Sequence, residues 1–227
     1  MDHLHDIFYI HNAIMAEAAE LERVVQTLSQ EDAARTEGAL EQFVFYKSVL
    51  EFHEGDEEEV FFPPLAARVA YGAQDYIFDH EHHRKLYGEI EGSLTGLLKA
   101  GNSGDWSGLS AKLYRQAVAL HATMENHIDK ENELLLPIYY ENFSDEELKG
   151  LMAKMGEEAD KMPQELMMRI LPWMFNANSA DDREGMMRGF KELVPPEMFA
   201  GMTQFLAGQV KQGDWQELVR RMPELGG

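Results

Sequence analysis

The sequence predicts an all-α protein: an antiparallel up-down four-helix bundle with a C-terminal α-helical extension. Three observations carry this. Apolar residues recur at spacings of three and four nearly everywhere, the period of a helix with one buried face. Strand signals are weak throughout. The connections between the first four periodic segments are short, which sets successive helices side by side and antiparallel.

The first segment, about 6–28, puts Ile7, His11, Ile14, Ala18, Leu21, Val25 and Leu28 on one face. Ser29 followed by Asp32 is an N-cap signal for the next helix, about 32–66, which carries Leu40, Phe43, Leu50, His53, Glu57 and Val60 inward. Tyr71-Gly72 breaks the pattern. A third helix, about 74–99, aligns Ile77, His80, His83, Tyr87, Ile90, Leu94 and Leu97. The stretch 100–104 is a loop, and a fourth helix, about 107–141, aligns Leu113, Ala117, Leu120, Met124, His127, Glu131, Leu134 and Leu135.

The expected organisation is a bundle over 1–142 and a helical extension over 143–227. Ser144-Asp145-Glu146-Glu147 is a capping box that opens a fresh helix. Pro163, Pro172, Pro195, Pro196 and Pro223 cut the extension into short helices, and 11 of the 14 Met residues lie there, which reads as malleable core packing. The C-terminal helices are the expected surface for any protein partner.

Bulk properties narrow the function. A net charge of −21 repels phosphate backbones and anionic membranes, so neither nucleic acid nor membrane is an expected partner, while cations are attracted. No apolar run is long enough for a membrane span. The polar, acidic start lacks the features of a secretory leader, which makes the cytoplasm the expected compartment. The chain has no cysteine, which removes disulfides, iron–sulfur clusters and thiol catalysis and leaves His, Asp and Glu for any metal site.

Two segments share one pattern. His53 and Glu57 are followed by Pro63; His127 and Glu131 are followed by Pro137. Both read His-x-x-x-Glu, five residues, Pro. Each follows a helix with an inward histidine, His11 or His80, so the chain is a degenerate duplication. Residues i and i+4 stack on one helix face, where an imidazole and a carboxylate can ligate one metal or bridge two. Glu58 and Glu133 stand at i+5 and i+6 from the histidines and rotate away from that line. Four inward imidazoles with two inward carboxylates have no good apolar explanation, because an uncompensated buried carboxylate costs several kcal/mol.

Ligand type points to the metal. Histidine and carboxylate without sulfur suit iron, manganese or zinc. Ferritin-like sites use Glu-x-x-His at i, i+3, whereas here the order is reversed and imidazoles outnumber carboxylates. That favours a histidine-rich di-iron pair with two bridging carboxylates.

These stretches carry a resemblance. Through His11-Asn12-Ala13-Ile14, His53 to Pro63, Asp79-His80-Glu81-His82-His83 and His127 to Pro137, the chain resembles the hemerythrin-like (HHE) cation-binding domains over residues 6 to about 141. Within that family it resembles above all the hemerythrin-like domains of plant iron-sensing ubiquitin ligases, which share a segment like Leu171-Pro172-Trp173. Those ligases also carry cysteine-rich zinc domains. This cysteine-free sequence supplies none, so only the metal-domain resemblance transfers.

The resemblance implies His11, His53, His80 and His127 as iron ligands and Glu57 and Glu131 as bridges, holding two non-haem iron ions (Fe2+/Fe3+) with an oxo or hydroxo bridge. Hemerythrin itself uses His-x-x-x-His in the third helix, but Arg84 stands four residues after His80. His83 at i+3 is expected to substitute, with Glu54 as its rival. His82 and His121 are expected off the ligand line, and His3 and His5 at a frayed terminus. Tyr9, Tyr46, Tyr76 and Tyr87 are candidate hydrogen-bond donors around the ligands, while Trp106, Trp173 and Trp215 look structural.

The expected function is binding of O2, or another small diatomic or peroxide ligand, for transport, storage or oxygen and iron sensing. The alternative is a di-iron enzyme acting on peroxide, nitric oxide or ferrous iron. Ligand set alone does not separate them.

Overall fold

The computed structural model describes residue 4 and residues 7–101, 104–159 and 161–226; His3 and His5 lie outside them. The described residues are helical with no strand. They form α1 (Ile7–Gln26), α2 (Ala33–Asp56), α3 (Phe62–Ala66), α4 (Gln74–Ala100), α5 (Trp106–Lys130), α6 (Leu136–Asn142), α7 (Asp145–Ala159), α8 (Gln164–Ala177), α9 (Ala180–Leu193), α10 (Pro196–Gln209) and α11 (Gln212–Arg221). A 3₁₀ turn, Pro223–Gly226, follows α11. Among the described residues, no helix is long and apolar enough to cross a membrane.

The chain divides into two compact units, Ile14–Asp160 on one hand and Met1–Ala13 with Lys161–Gly227 on the other. The division therefore groups α7 with the bundle and the first residues of α1 with the C-terminal helices.

In the first unit, α2 packs on α4 and α4 on α5. The anticipated inward stripes are buried: Ile14, Ala18, Leu21 and Val25 on α1, Phe43 and Leu50 on α2, Tyr87, Ile90 and Leu94 on α4, Leu113, Ala117 and Leu120 on α5. Polar ties fix the register. Tyr46 donates to the Ile14 carbonyl at 3.0 Å. Ser93 donates to Gln116 at 2.7 Å. His121 sits off the ligand line, 2.9 Å from Glu22 of α1.

The cap of α2 falls three residues later than Ser29: Asp32 itself caps the helix by accepting from the Arg35 amide at 3.0 Å. Ser144 and Glu147 form a reciprocal capping box at the start of α7. The turn before α4 is made with Tyr71 at φ 63°, and a Cβ on Gly72 would come within 3.1 Å of Val69. A side chain at position 72 would therefore press on Val69 and Leu65.

The decisive local feature is doubled. A π-helical segment, Glu57–Phe61, joins α2 to α3, and another, Glu131–Leu135, joins α5 to α6. Each begins at the glutamate of a His-x-x-x-Glu pair and ends just before a proline-bearing helical turn. Proline lacks an N–H and crowds the carbonyl four residues earlier, so α-type bonding fails there. The chain widens instead: the Phe62 amide bonds the Glu57 carbonyl, and the Leu136 amide the Glu131 carbonyl, five residues back. Tyr139 links the two copies by donating to the Phe61 carbonyl.

The wider turn also corrects one expectation. Leu134 is not inward but 56% exposed, because the shifted register gives the core positions to Leu135 and Leu136.

The second unit has its own apolar core of Phe175, Met186, Met187, Leu206, Trp215 and Met222. Buried Asn178 donates to the Tyr9 carbonyl at 2.9 Å. Pro163 and Pro195 sit at helix starts as anticipated, but Pro172 lies inside α8 and does not end it.

Candidate metal centre

Within the bundle, α2, α4 and α5 bring one polar cluster together in the apolar interior. His53, Glu57, His80, His83, His127 and Glu131 are all buried, with His80 and Glu131 at 0% and 1% exposure. Such burial keeps these groups away from bulk water, so their charge must be balanced inside the fold. Phe62 stacks on His80 at 5.6 Å between ring centres, and Tyr76 meets the edge of His127 at 6.1 Å.

The i, i+4 pairs approach as their spacing implies. His53 Nε2 is 3.5 Å from Glu57 Oε1, and His127 Nε2 is 3.1 Å from Glu131 Oε1. Glu57 also reaches across to α4, with Oε2 3.3 Å from His80 Nε2. That oxygen is buried and makes no hydrogen bond within the chain. Glu57, His80, His127 and Glu131 offer donor atoms within 4.8 Å of one another, as do His53, Glu57 and Glu131. The two glutamates belong to both groups.

The histidine edges are sorted. His80 Nδ1 lies 2.9 Å from Glu58 Oε1, and His127 Nδ1 lies 3.2 Å from Asp79 Oδ2. A carboxylate only accepts, so each Nδ1 carries the proton. The two Nε2 atoms then face each other at 3.1 Å. Without a metal, a proton between them makes this an N–H···N hydrogen bond; a metal ion held by both would take that proton's place. Nitrogens about 2.1 Å from one ion, at close to a right angle, stand about 3 Å apart. The donor set and its spacing therefore fit a metal site.

Electrostatics agrees. Burial opposes charge on His127, yet Glu131 and Asp79 outweigh it and push the imidazole up to about 10. Burial likewise opposes ionisation of Glu57, but His53, His80 and His127 hold it well below the usual carboxylate range. Asp79 is held down to about 2, its burial outweighed by His127 and Lys130. Next door, burial and Glu158 of α7 push Asp56 up to about 7 against the pull of His53. The field that holds a proton at the centre would also favour a metal cation, whose entry would release that proton.

His83 is buried on α4, with Nδ1 3.2 Å from Glu54 Oε1 and its ring 5.1 Å from that of His127. Neither His83 nor Glu54 belongs to the two donor groups. His82 is exposed. His11 is buried on α1, one turn before Ile14. Of the four tyrosines, Tyr87 reaches a carboxylate at the centre, donating to Glu54 at 2.6 Å. Tyr76 donates to the Lys130 carbonyl and Tyr46 to that of Ile14.

Sequence reasoning missed Glu58, Asp79, Arg84 and Lys130. Glu58 does rotate off its own ligand line, but it is not sent to solvent: it meets His80 of the neighbouring helix. Lys130 grips Asp79, and Arg84 grips Glu58 and Glu54. A one-helix periodicity has no signal for such partners. The charges flanking each ligand histidine were the only hint.

These features define a class: a helical-bundle protein with a histidine–carboxylate metal centre built on a duplicated helix pair. The chain belongs to the hemerythrin HHE cation binding domain family, whose model matches residues 2–139. It is similar to the zinc finger protein BRUTUS of Arabidopsis thaliana, 26% identical over 189 residues, covering 83% of this chain and 14% of that protein. A BRUTUS-like zinc finger protein of the same plant is 27% identical over 194 residues, covering 84% and 15%. The chain thus spans about one-seventh of the length of these curated relatives. No solved structure matches.

Proposed function

We propose that this domain holds two non-haem iron ions and binds O2 or a related small molecule, for carriage, storage or sensing. The observation that carries the reading is the 3.1 Å approach of His80 Nε2 to His127 Nε2, with carboxylates on both Nδ1 atoms. His53, Glu57 and Glu131 would hold one ion, with His11 from α1 as its further imidazole. His80, His127 and the same two glutamates would hold the other. His83 is the proposed additional donor on α4, and Glu54 its rival. When bound, the iron pair supplies reversible coordination and one-electron exchange between Fe2+ and Fe3+. The chain's own residues would orient the imidazoles, offer two shared carboxylates to the two ions, and keep bulk water out through buried Phe62, Tyr76 and Leu50.

A second reading, a di-iron enzyme acting on peroxide, nitric oxide or ferrous iron, is favoured by Tyr87. Its hydroxyl puts a proton donor at the edge of the centre, on Glu54, and reductive chemistry of peroxide consumes protons.

Elemental analysis of protein from iron-replete cells, with optical spectra of the reduced form before and after air, tests both readings. Two irons per chain and a stable coloured adduct are expected. One stoichiometric zinc without iron overturns the proposal. Two irons with peroxide turnover and no adduct replaces it with the enzyme.

A further inference from the structure

Arg84 occupies the position, one turn after His80, that a second ligand imidazole would fill in a His-x-x-x-His pair. Its guanidinium does not point away from the centre. Nη2 donates to Glu58 Oε1 at 2.7 Å, and Nε lies 3.3 Å from Glu54 Oε2. Each of those carboxylates in turn holds one imidazole by Nδ1: Glu58 holds His80 at 2.9 Å and Glu54 holds His83 at 3.2 Å. One planar fork therefore orders two carboxylates, and through them two histidines. His80 and His83 are buried, Glu54 is 2% exposed in its side chain, and Arg84 itself is 37% exposed. The hub sits at the rim, and its effects run inward.

We propose that Arg84 is a positioning residue that sets the tautomer and ring orientation of His80 and His83 through Glu58 and Glu54, and so tunes the metal affinity of the centre. This rests on the metal reading above. The chemistry is specific. A carboxylate facing Nδ1 forces the proton there and leaves Nε2 as the donor atom. Left alone, a half-exposed Glu58 has several rotamers, and only some of them reach His80. The guanidinium selects one by offering donors in a fixed geometry, which an ammonium does not.

Asp79 provides a built-in comparison. It holds His127 Nδ1 and is gripped by Lys130, so His127 has its own clamp, independent of Arg84. The effect of losing Arg84 is confined to the imidazoles of α4.

The test uses the full chain as Arg84→Met, which keeps length and removes charge, Arg84→Lys, which keeps charge and removes the fork, and Glu58→Gln. Long-range ¹H–¹⁵N spectra of the metal-free protein read which ring nitrogen of each histidine carries the proton. Calorimetric titration with Co2+ reads affinity. Arg84→Met is expected to mix the tautomers of His80 strongly and of His83 less, since Tyr87 also holds Glu54, to leave the protonation of His127 unchanged, and to weaken Co2+ binding by roughly tenfold to a hundredfold. Arg84→Lys is expected to recover only part of this. Glu58→Gln is expected to disturb His80 alone, and its combination with Arg84→Met to be less than additive.

Unaltered tautomers in Arg84→Met overturn the proposal. So does weakened Co2+ binding with tautomers intact, which would make Arg84 only a distant charge. If Arg84→Met does not fold, Arg84→Lys with wild-type tautomers and affinity overturns it as well. Failure of the wild-type chain to take up metal would sink the metal reading instead, and the metal-free spectra would still decide what Arg84 does.

Discussion

At the scale of single residues, the two glutamates that belong to both donor groups should be the least replaceable. Glu57 faces His53 and His80, Glu131 faces His127, and both glutamates belong to both donor groups. Removing either would leave the two proposed cations without a shared carboxylate in a buried site. Glu57→Ala and Glu131→Ala are expected to fall from two metals per chain to one or none. Glu133→Ala, on an exposed side chain, should keep both. Glu58→Ala should lie between, losing about tenfold in affinity because it orients His80 without being a ligand itself. Equal metal content in all four variants would refute the assignment.

A pH effect follows for the metal-free protein. The His127 imidazole is raised from its usual 6.5 to about 10 in the fold. A raised folded pKa contributes stability that is full below the unfolded value and lost as pH climbs through the folded one. Melting in chelator should therefore show lower stability at pH 10 than at pH 6.5, and His127→Gln should flatten that slope. Much of this chemistry was legible in the sequence: His53, Glu57, His80, His127 and Glu131 announce themselves by spacing and by apolar neighbours. Glu58, Asp79 and Arg84 were not legible, because each acts on a histidine through a contact that depends on how two helices meet.

At the scale of elements, the fold was readable because the inward stripes run unbroken for whole helices, and because Asp32, Ser144 and Gly72 sit where caps and breaks need them. What was not readable was the register after each glutamate. A strict 3.6-residue count sends Leu134 inward, but the π turn from Glu131 to Leu135 spends one extra residue and hands the core to Leu135. Leu134→Lys should change stability by no more than about 0.5 kcal/mol, as for an ordinary surface substitution. Leu135→Lys should cost about 2–5 kcal/mol, through lost packing and a buried ammonium. The reverse order in denaturant melts would mean that the second segment is α-helical after all. Asp32→Ala tests a simpler element. It removes the side-chain acceptor for the Arg35 amide, and should cost about 1 kcal/mol without changing metal content.

At the scale of the whole molecule, the chain carries a net charge of −21 and buries a cluster of acids and imidazoles away from bulk solvent. Without a metal, a proton between the His80 and His127 nitrogens, 3.1 Å apart, stands in for the cation, and a buried Glu57 oxygen makes no hydrogen bond among the described residues. A metal that binds the folded form alone stabilises it by RT ln(1 + [L]/Kd), about 4 kcal/mol at a thousand times Kd. For a chain of this size, each kcal/mol is worth about 2–4 °C, so stripping the metal should lower the melting temperature by roughly 8–16 °C. Returning Fe2+ under anaerobic conditions should restore it in a concentration-dependent way. The same titration on Glu57→Ala should do little, which separates binding at this centre from loose association of cations with an acidic surface. High salt sharpens the comparison, since it screens surface charge and leaves a buried site largely untouched. An unchanged melting temperature after verified metal loss would mean that the polar cluster is self-sufficient and that its geometry was not built around a cation.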